Sequence, residues 1–355
     1  MPELPEVETV RRGLERLIVG RIVTNVTVHD SPKSFPNSAH DVKQFFHNVV
    51  VTSVGRRAKV LLIGLSSEYT LVTHLKMTGQ LVWVRGAAGM PFMQQVAFRH
   101  NNESARSLQS AELLAGQRVK QSSTGQERTA PSSGKTDSVA MPDTPAASSP
   151  GDDRFGAGHP NDSLIGSLPD PSTRVTIDFA DGSHLYFNDQ RKFGWMKLYP
   201  TLEVPNIDFM QKVGPEPLEE SFTPAEFIPR VRRRAGTTIK AAILDQTVLA
   251  GVGNIYADES LWAAKIHPAT RVRDVSNEQL ANLLDEIKYV LQLSIEKGGS
   301  TNRNYVNAEG KKGSYTDFAR VFRREGQECP RCGATIEKLK VAGRGTHICP
   351  VCQVQ

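Results

Sequence analysis

All four cysteines of this 355-residue chain fall after residue 328, as Cys329-Pro-Arg-Cys332 and Cys349-Pro-Val-Cys352. Sixteen residues separate the two C-x-x-C knuckles, which is the spacing of a tetrahedral four-thiolate zinc site. Four protein ligands leave no open position, so one Zn2+ held there is structural rather than catalytic. Two disulfides are the competing arrangement, and a reducing compartment disfavours them. Between the knuckles, Val341-Ala-Gly-Arg344-Gly-Thr346 places an arginine between glycines. A metal-stiffened hairpin tip suited to a DNA groove and an ordinary solvated turn both fit that stretch.

The rest of the chain is ordinary in hydrophobic content, and it holds no apolar run long enough to span a bilayer. The N-terminus lacks both a secretory apolar region and a basic transit pattern, so a cytoplasmic address is expected. The formal net charge is +5. Residues 101–172 carry a net −3, leaving +8 on the remainder. That excess points to a polyanionic partner, with nucleic acid ahead of a membrane surface.

The chain begins MPELPEVETV. Val7, Val10, Leu14, Leu17 and Ile18 recur at helical spacing and predict an amphipathic helix from Pro5 to Val19. Proline and acids suit its first turn. Pro2 and Glu3 precede the helix and are not explained by it. Removal of Met1 would leave Pro2 as a secondary amine beside a carboxylate, with a reference pKa of ~8, and amines form Schiff bases with electrophilic carbon.

Alternating apolar runs predict strands at Arg21–His29, Val49–Val54, Lys59–Leu65 and Tyr69–Leu75, and a hairpin from Arg174–Phe179 and His184–Phe187. Residues 101–172 are rich in Ser, Pro, Gly, Thr and Asp and read as a disordered insertion, with a short helix possible at Ala105–Ala115. Prolines 205, 215, 217 and 224 mark a linker-like stretch. Helical patterns follow at Pro224–Arg234, Thr237–Gln246, Asn254–Ala264 and Asn277–Lys297. Residues 1–204 are thus expected as a β-rich domain containing the insertion, 205–318 as a helical domain and 319–355 as the cysteine module.

Three further stretches carry chemistry. In Ala250-Gly-Val-Gly-Asn254-Ile-Tyr256 two glycines precede a helix, a layout that suits a phosphate clamp on a nucleic-acid backbone. Asn188-Asp-Gln-Arg191-Lys-Phe193-Gly-Trp195 sets cations beside aromatics on a turn, either a wedge and anchor for a base stack or a hairpin with Phe193 and Trp195 in the core. His74-Leu-Lys-Met77-Thr-Gly79 offers a second wedge or a core methionine.

Seven blocks in order (PELPEVET, GRRAKVLL, HLKMTGQL, NDQRKFG, IKAAILDQTVLAGVGNIYADE, GGSTNRNYVN with GSYTDFARVF, and the cysteine module with GRGTHICPVCQ) make the chain closely similar to the bacterial formamidopyrimidine-DNA glycosylases. This base excision repair family shares a superfamily with endonuclease VIII. The resemblance covers almost everything outside residues 87–172. It implies an α+β fold: an N-terminal β-sandwich with flanking helices, a helix–two-turn–helix domain and a zinc-finger hairpin. It also implies a bifunctional DNA glycosylase/AP lyase acting on 8-oxoguanine and formamidopyrimidines in double-stranded DNA. Such an enzyme works as a monomer at the bacterial nucleoid.

By that resemblance Pro2 is the Schiff-base nucleophile and Glu3 its acid/base partner. Glu6 arranges the site, Lys59 serves β-elimination, and Arg344 contacts phosphate and serves δ-elimination. Met77, Arg191 and Phe193 fill the gap left by the everted nucleotide. Asn254, Lys240 and Arg191 hold phosphates, with Arg234 and Tyr305 as further DNA contacts. The loop Gly298–Tyr315 covers the lesion. Cys329, Cys332, Cys349 and Cys352 bind zinc. Three departures stand out: the insertion itself, Gln190 where proline is common, and Ser172-Thr173 where a DNA-contacting histidine is frequent, with His100 as its substitute. Endonuclease VIII lacks the Arg-x-Phe pair seen at Arg191 and Phe193, which favours oxidised purines. An endonuclease VIII-like oxidised-pyrimidine glycosylase and a non-catalytic damage-binding protein are the alternatives.

Overall fold

The first helix, α1 (Leu4–Ile18), explains how the molecule is joined. Val7, Val10, Leu14 and Ile18, each no more than 1% exposed, enter one hydrophobic core, whereas Leu4, one turn earlier, enters another. Burying such side chains contributes about 1.5–3 kcal/mol each. The N-terminus is therefore pinned at the junction of the two cores. The computed structural model describes residues 2–29, 32–86, 154–158, 167–300 and 315–354, all within one compact unit.

The first core is enclosed by antiparallel strands. Those described are β1 (Ile22–Val28), β2 (Val49–Arg57), β3 (Val60–Leu65), β4 (Tyr69–His74), β5 (Gly79–Val84), β6 (Arg154–Gly158), β7 (Thr173–Phe179), β8 (His184–Asp189) and β9 (Trp195–Pro200). Their order is β6-β5-β8-β7-β1-β2-β3-β4-β9. The halves β6-β5-β8-β7-β1 and β2-β3-β4-β9 are joined by a short β1–β2 ladder, Ile22↔Val50 and Val23↔Val49. Both halves send side chains into one cluster, among them Trp83, Ile177 and Phe187 from the first and Val54, Ile63 and Leu198 from the second. The sheet is thus folded on itself as a sandwich. A short helix, α2 (Ala39–Phe45), is capped by Ser38 and Asp41.

Two sequence expectations need correction here. The disorder expected over 101–172 does not extend to Arg154–Gly158, which forms edge strand β6 along β5, from Val84↔Arg154 to Gln80↔Gly158. Phe155 supplies the buried aromatic, a signal lost when composition is averaged over a polar stretch. Residues 167–172 are also ordered into a turn, where Asp170 accepts from the backbone N–H and hydroxyl of Ser172. Residues 101–153, with the helix expected at 105–115, lie outside the described residues. The linker-like stretch after Pro200 is likewise structured. A 3-10 turn (Thr201–Asn206) and α3 (Asp208–Lys212) lay Val204, Ile207 and Phe209 against Val60 and Val72.

The second core is helical: α4 (Pro224–Arg232), α5 (Ile239–Leu244), α6 (Asn254–Ala263) and α7 (Asn277–Glu296), followed by α8 (Tyr315–Phe318). α6 is buried along most of its circumference, including Asp258, Glu259 and Ser260. The C-terminal module is the hairpin β10 (Glu337–Val341) and β11 (Arg344–Ile348). Trp262, Val321, Ile336, Cys329 and Cys349 form its small core. Glu259 anchors it from α6 by accepting the backbone N–H groups of Arg320, Val321 and Phe322. Among the described residues no helix is long and apolar enough to cross a membrane.

Candidate active site and nucleic-acid interface

Pro2 is buried at the N-terminal edge of α1, and Glu3, the N-cap, is 6% exposed. The backbone N–H of Glu3 donates to Glu6 Oε2 at 2.8 Å. Glu6 Oε1 accepts from the Tyr256 hydroxyl and from the N–H and hydroxyl of Ser300, both at 2.9 Å. Tyr256 also shares a hydrogen bond with Ser294. Glu6 therefore does more than favour a helix start. It ties the N-terminal segment to α6 and to the end of α7. The contacts of Tyr256, Ser294 and Ser300 with Glu6 and with each other were not legible in the sequence, since they depend on packing of distant elements.

The glycine turn before α6 receives the N-terminal segment. A Cβ on Gly253 would lie 2.0–2.4 Å from the carboxyl atoms of Glu3, and one on Gly251, at φ +82°, would lie 2.5 Å from Leu4. Leu4 N–H donates to the Gly251 carbonyl at 3.1 Å. The glycines are needed so that the N-terminal segment can dock on this turn.

Lys59 reaches the same turn from the other core. It is 7% exposed, and its Nζ donates to the Val252 carbonyl at 3.0 Å. Since Val252 and Gly253 are neighbours, the Lys59 ammonium and the Glu3 carboxyl converge there. Lys59 follows Ala58, held at φ +53°. Glu216 fixes that turn by accepting the Ala58 N–H and pairing with Arg56 and Arg57 at 2.8 and 2.9 Å.

Burial pushes the Glu3 pKa up to about 7; Lys59 and the Ile255 N–H lower it, and Glu6 raises it. Burial pushes Lys59 down, while the Glu3 and Glu6 carboxylates raise it and Arg344 lowers it. Among the described residues Glu3 Oε2 is buried with no hydrogen-bond partner, leaving one oxygen uncommitted.

The two wedge turns are one structure. The hydroxyl of Thr78, beside Met77, donates to Asp189 Oδ1. The same carboxylate accepts Arg191 N–H at 3.2 Å and, through Oδ2, Gly194 N–H at 2.6 Å. Asp189 itself is fully buried. Arg191 lies over the Phe193 ring at 4.9 Å and donates to Met77 Sδ at 3.5 Å. Met77 is 43% and Phe193 53% exposed, so neither is the core residue that the rival reading allowed. Trp195 instead pairs with β4 opposite His74. His74 Nδ1 accepts the Lys76 N–H at 3.0 Å, and burial, helped by Lys76 and Lys59, pushes its pKa down to about 3. The ring is thus neutral at ordinary pH, as this acceptor role requires.

The expected phosphate contacts divide. Arg191 is exposed. Arg234 is exposed and paired with Asp245 at 2.8 Å. Lys240 requires correction: it is fully buried, its Nζ 2.6 Å from Asp258, 2.7 Å from Thr346 Oγ1 and 3.3 Å from the Gly345 carbonyl. Its surface position could not be judged from α5 alone, because the hairpin covers it. Asn254 also faces the hairpin, its Nδ2 donating to the Gly345 carbonyl at 3.0 Å. Arg344, at the start of β11, is exposed. His100, Tyr305 and residues 301–314 of the loop expected to cover the lesion lie outside the described residues.

The four cysteine Sγ atoms lie within 4.8 Å of one another, and no disulfide joins them. Pairs at 3.4 and 3.9 Å bracket the ~3.8 Å sulfur separation of a zinc tetrahedron with Zn–S near 2.3 Å. The donor set fits one structural zinc.

Three family models match: the formamidopyrimidine-DNA glycosylase N-terminal domain over residues 1–129, its H2TH domain over 213–306, and a zinc finger found in FPG and IleRS over 326–354. A formamidopyrimidine-DNA glycosylase of Pediococcus pentosaceus is 35% identical over 354 residues, spanning 100% of this chain and 99% of that protein. One from Herpetosiphon aurantiacus is 36% identical, spanning 99% and 100%. Among solved structures, wild-type Lactococcus lactis Fpg (MutM) with DNA containing N7-benzyl-Fapy-dG superposes with a TM-score of 0.71 at 29% identity over 100% of both chains. MutM bound to DNA containing carbocyclic 8-oxo-G gives 0.70 at 29%, again over 100% of both.

Proposed function

From the premise that the chain belongs to the formamidopyrimidine-DNA glycosylase family, we propose that it excises oxidised purines from duplex DNA and then cuts the strand at the abasic site. The relatives bound to Fapy-dG and 8-oxo-G DNA support the substrate class. Convergence of Glu3 and Lys59 on the turn where the N-terminus docks is the observation that carries the chemistry.

In this reading, loss of Met1 frees the Pro2 amine to attack C1′ of the damaged nucleotide. Glu3, protonated near neutral pH, gives its proton to the leaving base or opening sugar. A secondary amine can form only a cationic iminium, which acts as an electron sink. In β-elimination a proton leaves C2′ and the C3′–O bond breaks, its electron pair departing with the 3′ phosphate. Lys59 acts in this proton transfer, and its lowered pKa suits the task. In δ-elimination a proton leaves C4′ and the C5′–O bond breaks, the pair departing with the 5′ phosphate, which Arg344 contacts. Met77, Arg191 and Phe193 occupy the stack vacated by the everted nucleotide. Residues 1–204 carry the chemistry, 205–318 grip the duplex, and 319–355 form the zinc finger.

Borohydride trapping on a duplex with one 8-oxoguanine opposite cytosine, read by intact mass and peptide mapping, tests this. A covalent adduct on Pro2 is expected, and Pro2→Gly should cripple trapping while lesion binding persists. Unchanged strand nicking by that variant, or no adduct from bound enzyme lacking Met1, would overturn the mechanism.

A further inference from the structure

The zinc thiolates secure only the root of the C-terminal hairpin. Arg344 stands five residues before Cys349, about 17 Å away along an extended strand, so the metal alone would leave the tip free to swing. The tip turn is tight: Ala342 and Gly343 have φ of +48° and +76°, and Val341 pairs with Arg344 across it. That shapes the hairpin without fixing it to the rest of the molecule.

A buried polar chain does fix it. Asp258 on α6 receives Lys240 Nζ on one oxygen, at 2.6 Å, and the His347 N–H on the other, at 3.0 Å. Lys240 then donates to Thr346 Oγ1 at 2.7 Å, and that hydroxyl donates to the carbonyl of Arg344 at 3.0 Å. Lys240, Asp258 and Thr346 are all fully buried, and His347 is 4% exposed. Burial of a lysine and an aspartate is costly unless both are paired and hydrogen-bonded, and a surface pair would hold the hairpin at less cost. Buried, fully paired groups have geometry that water cannot loosen, so an ion pair placed against the backbone of one exposed arginine confers position.

We infer that Asp258, Lys240 and Thr346 form a positioning relay that sets where Arg344 meets the 5′ phosphate, and so governs the second elimination rather than the first. This rests on the role given to Arg344 above. The Thr346 hydroxyl bonds only Lys240 and the Arg344 carbonyl among the described residues, so its removal should leave base release and β-elimination unchanged.

The test is product analysis on a 5′-labelled duplex with a single abasic site, separating unsaturated-aldehyde ends from 3′-phosphate ends, alongside borohydride trapping and zinc content. Thr346→Val keeps volume and burial but removes the hydroxyl that links Lys240 to Arg344; Thr346→Ser keeps the hydroxyl. Thr346→Val should lower the δ-to-β product ratio roughly tenfold or more, the scale of a misplaced reacting group. Trapping and zinc should stay at wild-type levels, and Thr346→Ser should restore the ratio. Asp258→Asn, which keeps acceptor geometry while removing the charge, should shift the ratio in the same direction. A wild-type ratio in Thr346→Val would overturn the relay. So would parallel loss of trapping or zinc, which would mark Thr346 as a folding residue. Wild-type enzyme yielding no 3′-phosphate ends would instead sink the role of Arg344, and the relay with it.

Discussion

Glu3 occupies a position where a carboxyl group is expensive to ionise and useful when neutral. Its folded-state pKa of about 7 lies above the ordinary value of 4.5. Between those two pH values the folded protein therefore holds a proton that the unfolded chain has released. The stability tied to that proton is complete below pH 4.5 and is lost as pH rises through 7. Glu3→Gln removes the ionisation cost, so it should stabilise the fold at pH 8 by up to about 3 kcal/mol, a gain that shrinks as denaturant melts are moved toward pH 4.5. In activity the sign is the reverse. The pH profile of kcat/KM on 8-oxoguanine duplex should fall above pH ~7, as expected for loss of a general acid in the free enzyme, and Glu3→Gln should abolish base release. Gly253→Ala probes the same contact, since its Cβ would overlap the Glu3 carboxyl. It should lower excision by at least an order of magnitude while leaving the zinc module intact, as measured by single-turnover kinetics and metal content.

At the scale of elements, the proposed wedge shows what the sequence made legible and what it did not. Met77 and the Arg191–Phe193 pair could be marked as candidates because large apolar and cationic side chains sit on glycine-punctuated turns. That the turns form one platform was hidden, because Asp189 joins them across more than a hundred residues. The burial of Lys240 was hidden for a related reason: it has a surface pattern on α5, yet a hairpin a hundred residues later covers it. Glycines 251 and 253 suggested a phosphate cradle locally, and only the docked N-terminus reveals why side chains are excluded there. Asp189→Ala would leave the Gly194 N–H and the Thr78 hydroxyl without their acceptor, costing roughly 3 kcal/mol. Lesion excision should suffer more than nicking of a preformed abasic site, because only the former requires everting a stacked base. Equal loss on both substrates would argue that Asp189 merely holds the fold.

For the whole molecule, the telling arrangement is that neither core owns the proposed active site. α1 sends Leu4 into the helical core and Val7 to Ile18 into the sandwich, Glu216 clamps the Lys59 turn from beyond the sandwich strands, and Glu6 reaches Ser300 at the end of α7. The zinc module joins through buried carboxylates on α6: Glu259 accepts three backbone N–H groups, and Asp258 pairs with Lys240. Removing zinc should therefore act locally. The thiolates hold the hairpin root, whereas the two larger cores contain no metal ligand. Chelation should loosen the hairpin root and weaken duplex binding, with the main thermal transition shifted far less than in a small zinc finger, where metal binding is the folding energy. Leu4→Ala should do the opposite. It opens a cavity costing about 2–5 kcal/mol at the seam that supports Glu3, so the melting temperature should fall while zinc content stays at one per chain. Measured together by calorimetry and metal analysis, the two perturbations separate the hairpin's attachment from the union of the cores. A chelated protein that lost its main transition would show that the metal stabilises far more than the hairpin.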